Sequence, residues 1–402
     1  MLRAASEKFL LGYVALYLCT VFMSLSRISG YGDSAWTIHV ISVFFIVLLS
    51  AHIFIERLRC IKSRPLELLF FLGIIVLSVC IGIINNNNIL FVITDTLYPI
   101  FALITLAYYS YYSIKPQTIQ KISSWILWAH IAVILFGYIL FYSGKVSHPS
   151  FASQALIIPF AWYLQTKQNR SAVYTFIVIL AGVKVSVILA ALVIFALFYL
   201  NSNKGTLKSL VHIIFFLILF AIFYNNLGDD SIIAYKLNYY IQMFTNLFFS
   251  ENNLTIDEIH SIRFLETYYA LHDFFKSGYL TLLFGNGAGN EYMIILREDE
   301  ISYMHNSHFS PATILTRYGG IGFLFFTMLI VLQIFRSYKI IKVNQNLSNI
   351  HCFSFYIIIG FLIVSLTAFS FFANLLFWVF LGQLRFHDLR HKLISKRLLC
   401  VE

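Results

Sequence analysis

The residues best suited to chemistry lie in one stretch of an otherwise very apolar chain, residues 302–322, which read SYMHNSHFSPATILTRYGGIG. It contains His305, His308 and Arg317. Neutral histidine is the usual general base near pH 7. Both histidines precede Ser310-Pro311, a pattern typical of a helix start, where free amides and the helix dipole favour a phosphate. The pair is therefore a candidate for catalysis; the alternative is two ordinary polar residues at a membrane surface.

Four cations are candidates for binding a phosphate or diphosphate. Arg263 could do so because guanidinium matches phosphate oxygens bidentately, although a surface salt bridge to Glu266 would also explain it. Lys184 lies inside a long apolar stretch, where charges are costly and usually functional; the alternative is a lysine at a hairpin tip that reaches the interface. Arg297 and Arg317 could add phosphate affinity, yet each alone is typical of a solvated charge.

Asp95 is the other charge within a predicted span. It could be a proton or ion site of a transporter, or it could lie one or two turns below the outer surface. The acidic run 298–300 contains no Asp-x-Asp pair, and the Gly285-Asn-Gly287 turn does not sit between a strand and a helix as a nucleotide fingerprint would. We therefore predict neither a metal nor a cofactor.

The composition predicts a polytopic all-α membrane protein. The chain has 402 residues, of which 59% are hydrophobic and only 11% are charged, whereas soluble domains carry about 25% charged residues. Several apolar runs approach the roughly 20 residues that cross the hydrocarbon layer. The net charge of +10 is typical of positive-inside loops, so we predict a lipid bilayer partner and no nucleic acid.

Hydropathy and loop charge predict twelve spans. They lie near 9–26, 36–55, 68–84, 89–113, 123–143, 152–164, 172–183, 186–200, 209–224, 320–335, 353–368 and 371–384. Residues 172–200 are too long for one upright span and have cations on both flanks, so we predict a turn at Gly182-Val-Lys184. The same argument divides residues 352–384.

Loop charges orient the chain with both termini in the cytoplasm. In that orientation 20 of the 28 Lys and Arg residues are cytoplasmic, while 11 of the 18 acidic residues fall in 225–318 and face outward. The predicted organisation is spans one to nine in 1–224, a large periplasmic catalytic loop in 225–319, and three spans with a basic cytoplasmic tail in 320–402.

The large loop carries signals of its own secondary structure. Thr255-Ile-Asp-Glu258 is a capping box and predicts a helix that lies on the membrane surface. In that helix Arg263, Glu266 and Ala270 fall on a different face from the apolar stripe. Residues 284–290, FGNGAGN, predict a glycine-rich turn, and Ser310 predicts the start of a helix that runs toward the tenth span.

These features together resemble the O-antigen polymerase and O-antigen ligase superfamily. The likeness rests on Arg263 in a loop helix, on Phe284-Gly-Asn-Gly287, on a loop histidine before Gly319-Gly-Ile-Gly322, and on a cation at the apex near Lys184. The family's histidine is usually followed by Asn, as His305 is, and usually lies about eleven residues before the glycine that opens the next span, as His308 does. In this family Ser-Arg is frequent at the apex between two short spans, where this chain has Val183-Lys184. This departure and the departure in the spacing of His-Asn favour the polymerase over the ligase.

The resemblance implies a GT-C-like, metal-independent inverting glycosyltransferase of the bacterial inner membrane. Its substrates would be undecaprenyl-diphosphate-linked oligosaccharides, with His305 or His308 as the base and Arg263 also catalytic. Lys184, Arg263, Arg297 and Arg317 would hold the diphosphate. A polymerase of this family commonly works with a chain-length regulator protein.

Two other functions remain open. One is the ligase that transfers the glycan to lipid A-core. The other is a transporter of lipid-linked oligosaccharides, although transporters usually show repeated halves with intramembrane polar residues in matching positions. This chain concentrates its ionisable groups in one outer loop instead.

Overall fold

A computed structural model of the protein describes residues 2–28, 65–145, 153–182, 184–202, 262–297, 300–305, 309–343, 349–366, 371–372 and 374–399. These residues are mostly helical. The helices are α1 (Leu2–Ile28), α2 (Pro65–Ile84), α3 (Ile89–Tyr109), α4 (Pro116–Tyr142), α5 (Ile157–Gln165), α6 (Asn169–Ala181), α7 (Val185–Ser202), α8 (Ile262–Lys276), α9 (Tyr279–Phe284), α10 (Ser310–Val343), α11 (Asn349–Ser365) and α12 (Leu375–Leu399). The strands are β1 (Tyr292–Arg297) and β2 (Glu300–Met304).

Several of these helices are able to span a membrane. Among the described residues, α2, α3, α4 and α10 are long and apolar enough, while α1, α6, α7 and α11 contain shorter apolar segments. Large apolar side chains such as Leu66, Trp128 and Leu324 are exposed on them, as a lipid-facing surface requires. The predicted spans 36–55 and 209–224 lie outside the described residues, and the other ten overlap described helices.

The predicted break near Lys184 is confirmed. Helix α6 ends at Ala181 and α7 begins at Val185. At 1.5 Å per residue α6 is about 20 Å long, which is less than the roughly 30 Å of hydrocarbon. Lys184 therefore stands at the end of a helix too short to cross the layer fully.

The helices are held together by a continuous apolar core. Helix α12 packs along α3, and α11 packs between α7 and α12. Small residues permit the close approaches: an added Cβ at Gly382 would lie 2.8 Å from Tyr109 Cβ, and one at Gly360 would lie 2.7 Å from Ile194 Cδ1. Such contacts let neighbouring backbones pack without voids.

An aromatic cluster forms part of this apolar core. Its members are Phe71, Phe326, Phe371, Phe372 and Trp378.

The large loop contains a β-hairpin, a departure from the all-α prediction. Strands β1 and β2 pair antiparallel, with Tyr292 opposite Met304. Tyr292 and Ile294 are buried while Met293 between them is exposed, which is the alternation of a half-buried strand. Helix α8 covers the buried face of β1. The alternation of buried and exposed side chains along β1 therefore has the period of a strand and not that of a helix.

The predicted glycine-rich turn is confirmed, and its backbone requires glycine. Gly285, Gly287 and Gly289 have φ of 84°, 86° and 74°, a region that is costly for other residues. The helix bundle has one end at which α2 ends and α3 begins, and we call it the loop end. The turn is seated there: an added Cβ at Gly287 would lie 2.3 Å from the Gly82 nitrogen, and the Ala288 N–H donates to the Ser78 carbonyl at 2.9 Å.

Helix α10 is kinked at Gly319, where φ is 63° and ψ is −173°. The kink separates a short first segment, 310–318, from a second segment, 320–343, of about 36 Å at 1.5 Å per residue. The second segment alone is sufficient to cross a membrane. The first segment contains Arg317, so the kink brings a loop residue back over the end of the bundle.

We predict that Gly319→Ala destabilises the protein. A Cβ at residue 319 would lie 2.3 Å from the Leu283 carbonyl oxygen, and the positive φ alone costs about 1–2 kcal/mol. Gly73→Ala is the matched control because a Cβ at residue 73, inside α2, meets nothing within 4 Å. Thermal unfolding in detergent should show a lower Tm for Gly319→Ala only; equal Tm values would contradict a required kink.

Candidate functional site

A buried ion pair lies at the loop end. Asp95, in the second turn of α3, is 4% exposed, and its Oδ1 lies 2.7 Å from Arg317 Nη1 on α10. The other oxygen, Oδ2, accepts a hydrogen bond from the Gly289 N–H at 2.8 Å. A buried carboxylate is costly unless it is paired and hydrogen-bonded, and the large loop supplies both partners.

His305 completes this cluster from the end of β2. Its Nε2 lies 3.2 Å from Asp95 Oδ1 and 3.1 Å from Arg317 Nη2. Its Nδ1 lies 3.1 Å from the Asn290 carbonyl oxygen. The ring stacks on Phe91 with centroids 4.0 Å apart and an interplanar angle of 10°. Contacts on both nitrogens and on one face therefore fix the ring orientation.

These contacts assign the proton of neutral His305 to Nδ1. The Asn290 carbonyl can only accept, so Nδ1 donates to it. The Arg317 guanidinium can only donate, so Nε2 accepts from it. When Nε2 takes up a proton, the same atom becomes a donor, and Asp95 Oδ1 is in place to accept. The cluster can thus accept a proton at Nε2 and stabilise the resulting imidazolium, which is the requirement for a general base.

Arg317 is held on several sides. It is 3% exposed at its side chain, and its Nη2 also donates to the His305 carbonyl oxygen at 3.1 Å. Its own carbonyl accepts from the Gly287 N–H at 3.2 Å. A guanidinium paired in this way with Asp95 orients the cluster. The diphosphate-binding role of Arg317 stays a prediction. In that role the guanidinium would have to bind the diphosphate and Asp95 at the same time.

Two more buried polar groups lie beside Arg317. Glu266 on α8 is 2% exposed and Tyr292 on β1 is 6% exposed. Burial, together with the nearby Glu266 carboxylate, raises the pKa of the Tyr292 phenol, and Arg317 partly opposes the shift. The phenol therefore stays protonated and available as a donor, and no acceptor for it lies among the described residues.

The pairing of charges indicates what the cluster can do. Among the described side chains, the Asp95 carboxylate is paired with the Arg317 guanidinium, and a neutral His305 adds no charge. Asp95 Oδ1 is also within reach of His305 Nε2 and can accept the hydrogen that this nitrogen carries once it has taken up a proton. The cluster is therefore suited to removing a proton from a hydroxyl group.

Lys184 belongs to a second polar cluster. It interacts electrostatically with the fully buried His130 of α4. His130 Nδ1 lies 2.7 Å from the Ile126 carbonyl, so Nδ1 donates, and Nε2 accepts from the Ser153 hydroxyl at 2.6 Å. Tyr17 of α1 also bonds to Ser153. Lys184 is therefore a cation that interacts electrostatically with a hydrogen-bonded group on α1, α4 and the segment that precedes α5.

The structure thus brings together two of the predicted site residues, His305 and Arg317. Lys184 lies in the second cluster. Arg263 is in the first turn of α8, and Arg297 ends β1, but their side chains are outside the described residues. His308 also lies outside them. Glu266 and Ala270, which belong to the predicted polar face of α8, are buried, and α8 packs against β1 and α10.

Three residues in or near the cluster around His305 were not predicted from the sequence. Asp95 was noted as an intramembrane charge but was not joined to the histidines, because 210 residues separate it from His305. Glu266 was considered only as the partner of Arg263 in the alternative of a surface salt bridge, whereas it is buried. Tyr292 gave no signal beyond its alternation with Met293.

Comparison with protein-family models and with curated proteins identifies no relative. No protein-family model matches the chain, and no curated protein matches it. Within the described part of the chain, no group of three or more His, Cys, Asp or Glu residues could hold a metal ion. The geometry of the clusters is therefore the basis for assigning a function.

We predict strong coupling between Asp95 and Arg317. Asp95→Asn leaves the guanidinium without its closest counter-charge, and breaking a buried pair costs about 3–5 kcal/mol. The double variant Asp95→Asn/Arg317→Gln should lose less stability than the sum of the single variants. Unfolding in detergent measures all three.

Lys115→Gln is the control for this comparison of single and double variants, because the ion pair between Lys115 and Glu7 includes a half-exposed lysine. That pair should contribute no more than about 1 kcal/mol to the free energy of unfolding. Additive losses for Asp95 and Arg317 would mean that the two side chains do not stabilise each other.

Proposed function

We propose that the protein is an O-antigen or related surface-polysaccharide polymerase. It joins oligosaccharide repeat units that are linked to undecaprenyl diphosphate, at the periplasmic face of the bacterial inner membrane, with both termini in the cytoplasm. The observation that carries the proposal is the cluster at the loop end, in which His305 Nε2 can accept a proton beside Asp95. The helical fold and the sequence resemblance support the same assignment.

The reaction is an inverting glycosyl transfer. A hydroxyl of the incoming repeat unit attacks the anomeric carbon of the growing glycan, so a new C–O bond forms while the bond to the diphosphate breaks. The hydroxyl proton passes to His305 Nε2, and the electron pair of the broken bond leaves with the diphosphate. For this transfer the Arg317 Nη2 contact to Nε2 must yield, while Asp95 and the His305 carbonyl still hold the guanidinium.

The two clusters suit two halves of this reaction. The cluster around His305 has a proton-accepting nitrogen beside a carboxylate and suits the nucleophilic hydroxyl. Lys184 supplies a cation within an apolar region, and a departing diphosphate needs a cation to stabilise its charge. Arg263 and Arg297 are proposed to assist it from the loop. No metal and no cofactor enters the reaction, and a chain-length regulator is the proposed protein partner.

The ligase is the alternative because it would use the same chemistry on a different acceptor. Its acceptor hydroxyl belongs to lipid A-core rather than to a second lipid-linked repeat. A transporter is disfavoured because both Asp95 oxygens have partners from the large loop, so a passing ion would have to compete with Arg317 and the Gly289 amide for the carboxylate.

A strain that lacks the gene distinguishes these functions. If the protein is the polymerase, its lipopolysaccharide on a gel should show lipid A-core that carries a single repeat unit, because ligation still works. Lipid A-core without any repeat, with long glycan retained on undecaprenyl diphosphate, would identify the ligase. An unchanged pattern of this and every other surface glycan would contradict the proposal.

The same strain tests the role of His305. His305→Ala removes the proton acceptor and should fail to restore long chains, whereas wild-type protein restores them. His272→Ala is the matched control, since His272 on α8 is half-buried and pairs locally with Asp273. Both variants should reach the membrane in normal amount. Long chains restored by His305→Ala would remove His305 from the mechanism.

A further inference from the structure

A cluster of exposed apolar residues lies where α8 turns into α9. We call residues 275–283 the elbow. Phe275 is 63% exposed, Tyr279 is 87% exposed and Leu280 is 73% exposed. No residue of α9 is buried. Apolar side chains exposed together in this way mark an interaction surface.

The elbow is fixed at the level where α10 begins to cross the membrane. The Leu283 carbonyl oxygen would lie 2.3 Å from a Cβ at Gly319, and the Leu282 carbonyl oxygen would lie 3.3 Å from one at Gly320. Helix α9 therefore touches the kink of α10. The apolar crossing segment of α10 starts at that kink, so the kink is the expected boundary between hydrocarbon and headgroups.

The exposed surface of the elbow continues onto the lipid-facing side of α10. Leu283 is exposed beside the kink, and Ile321 and Leu324 are exposed on the first turns below it. One apolar band thus runs from the membrane-spanning part of α10 up to Tyr279. Its upper end is of the composition found at membrane interfaces, where tyrosine is enriched, and the exposed Lys276 can lay its aliphatic stem on apolar surface while its charged end reaches the headgroups.

We propose that the elbow inserts into the outer leaflet of the membrane and anchors the catalytic loop there. The occupant of this surface is phospholipid. The anchor acts on the site through the glycine-rich turn, which follows α9 directly: the Asn286 N–H donates to the Thr316 carbonyl at 2.7 Å and the Gly287 N–H donates to the Arg317 carbonyl. Lipid contact at the elbow therefore holds Arg317 and His305 at the depth of the lipid-linked substrate. The insertion itself does not depend on the proposed function.

Spin labelling in liposomes tests the insertion. Nitroxides are placed at Tyr279→Cys and Leu280→Cys in a variant whose five cysteines are replaced. Leu324→Cys serves as the lipid-facing control and Glu291→Cys as the water-facing control, since both residues are exposed. The ratio of collisions with oxygen to collisions with a soluble nickel chelate should be several-fold higher at 279 and 280 than at 291, and close to that at 324.

Two results would overturn the insertion. Labels at 279 and 280 that behave like the label at 291 would place the elbow in water. Labels shielded from both reagents would mean that protein covers it. If the cysteine-free variant does not fold, the photo-crosslinking residue benzoyl-phenylalanine can replace Tyr279 in the otherwise native chain. Cross-linking to phospholipid would support the insertion. Cross-linking only to protein, or no cross-linking, would contradict it.

Discussion

The buried carboxylate of Asp95 is the constraint on which the loop end depends. A charge at 4% exposure inside an apolar helix bundle is tolerated only with close partners. None of its observed partners comes from its own helix: Arg317 comes from the start of α10, His305 from the end of β2 and the Gly289 amide from the glycine-rich turn. The need to satisfy one carboxylate therefore fastens three separate parts of the large loop to the membrane-embedded helices and places a histidine beside them.

The glycines make that arrangement sterically possible. Gly285 lies so close to the carbonyl of Arg317, and Gly287 so close to Gly82, that a Cβ added to either glycine would meet backbone atoms. Gly319 bends α10 so that Arg317 faces the bundle end, while the remainder of the helix is long and apolar enough to cross a membrane. Backbone freedom at a few positions and charge pairing at one position thus act together. The result is a proton-accepting group at the loop end of the bundle, where, in the proposed function, a lipid-linked acceptor presents its hydroxyl.

The sequence predicted the apolar helices well, because long apolar runs act locally and leave a direct signal. The glycine-rich turn, the break near Lys184 and the helix start at Ser310 were predicted for the same reason. The joining of Asp95 to His305 could not be predicted, because it depends on tertiary contacts across 210 positions. The hairpin was missed since β1 is short and lies within a polar loop, and burial of Glu266 was missed because helix periodicity does not say which face meets the protein.

The most direct test of polymerase activity uses purified protein in liposomes with undecaprenyl-diphosphate-linked repeat units as the only substrate. A polymerase should form a ladder of lipid-linked dimers, trimers and longer glycans, each with an inverted anomeric linkage and one released undecaprenyl diphosphate per bond formed, in the presence of a metal chelator. A wild-type protein that is folded and reconstituted but forms no lipid-linked dimer, whether or not it transfers a repeat unit to added lipid A-core, would contradict this function.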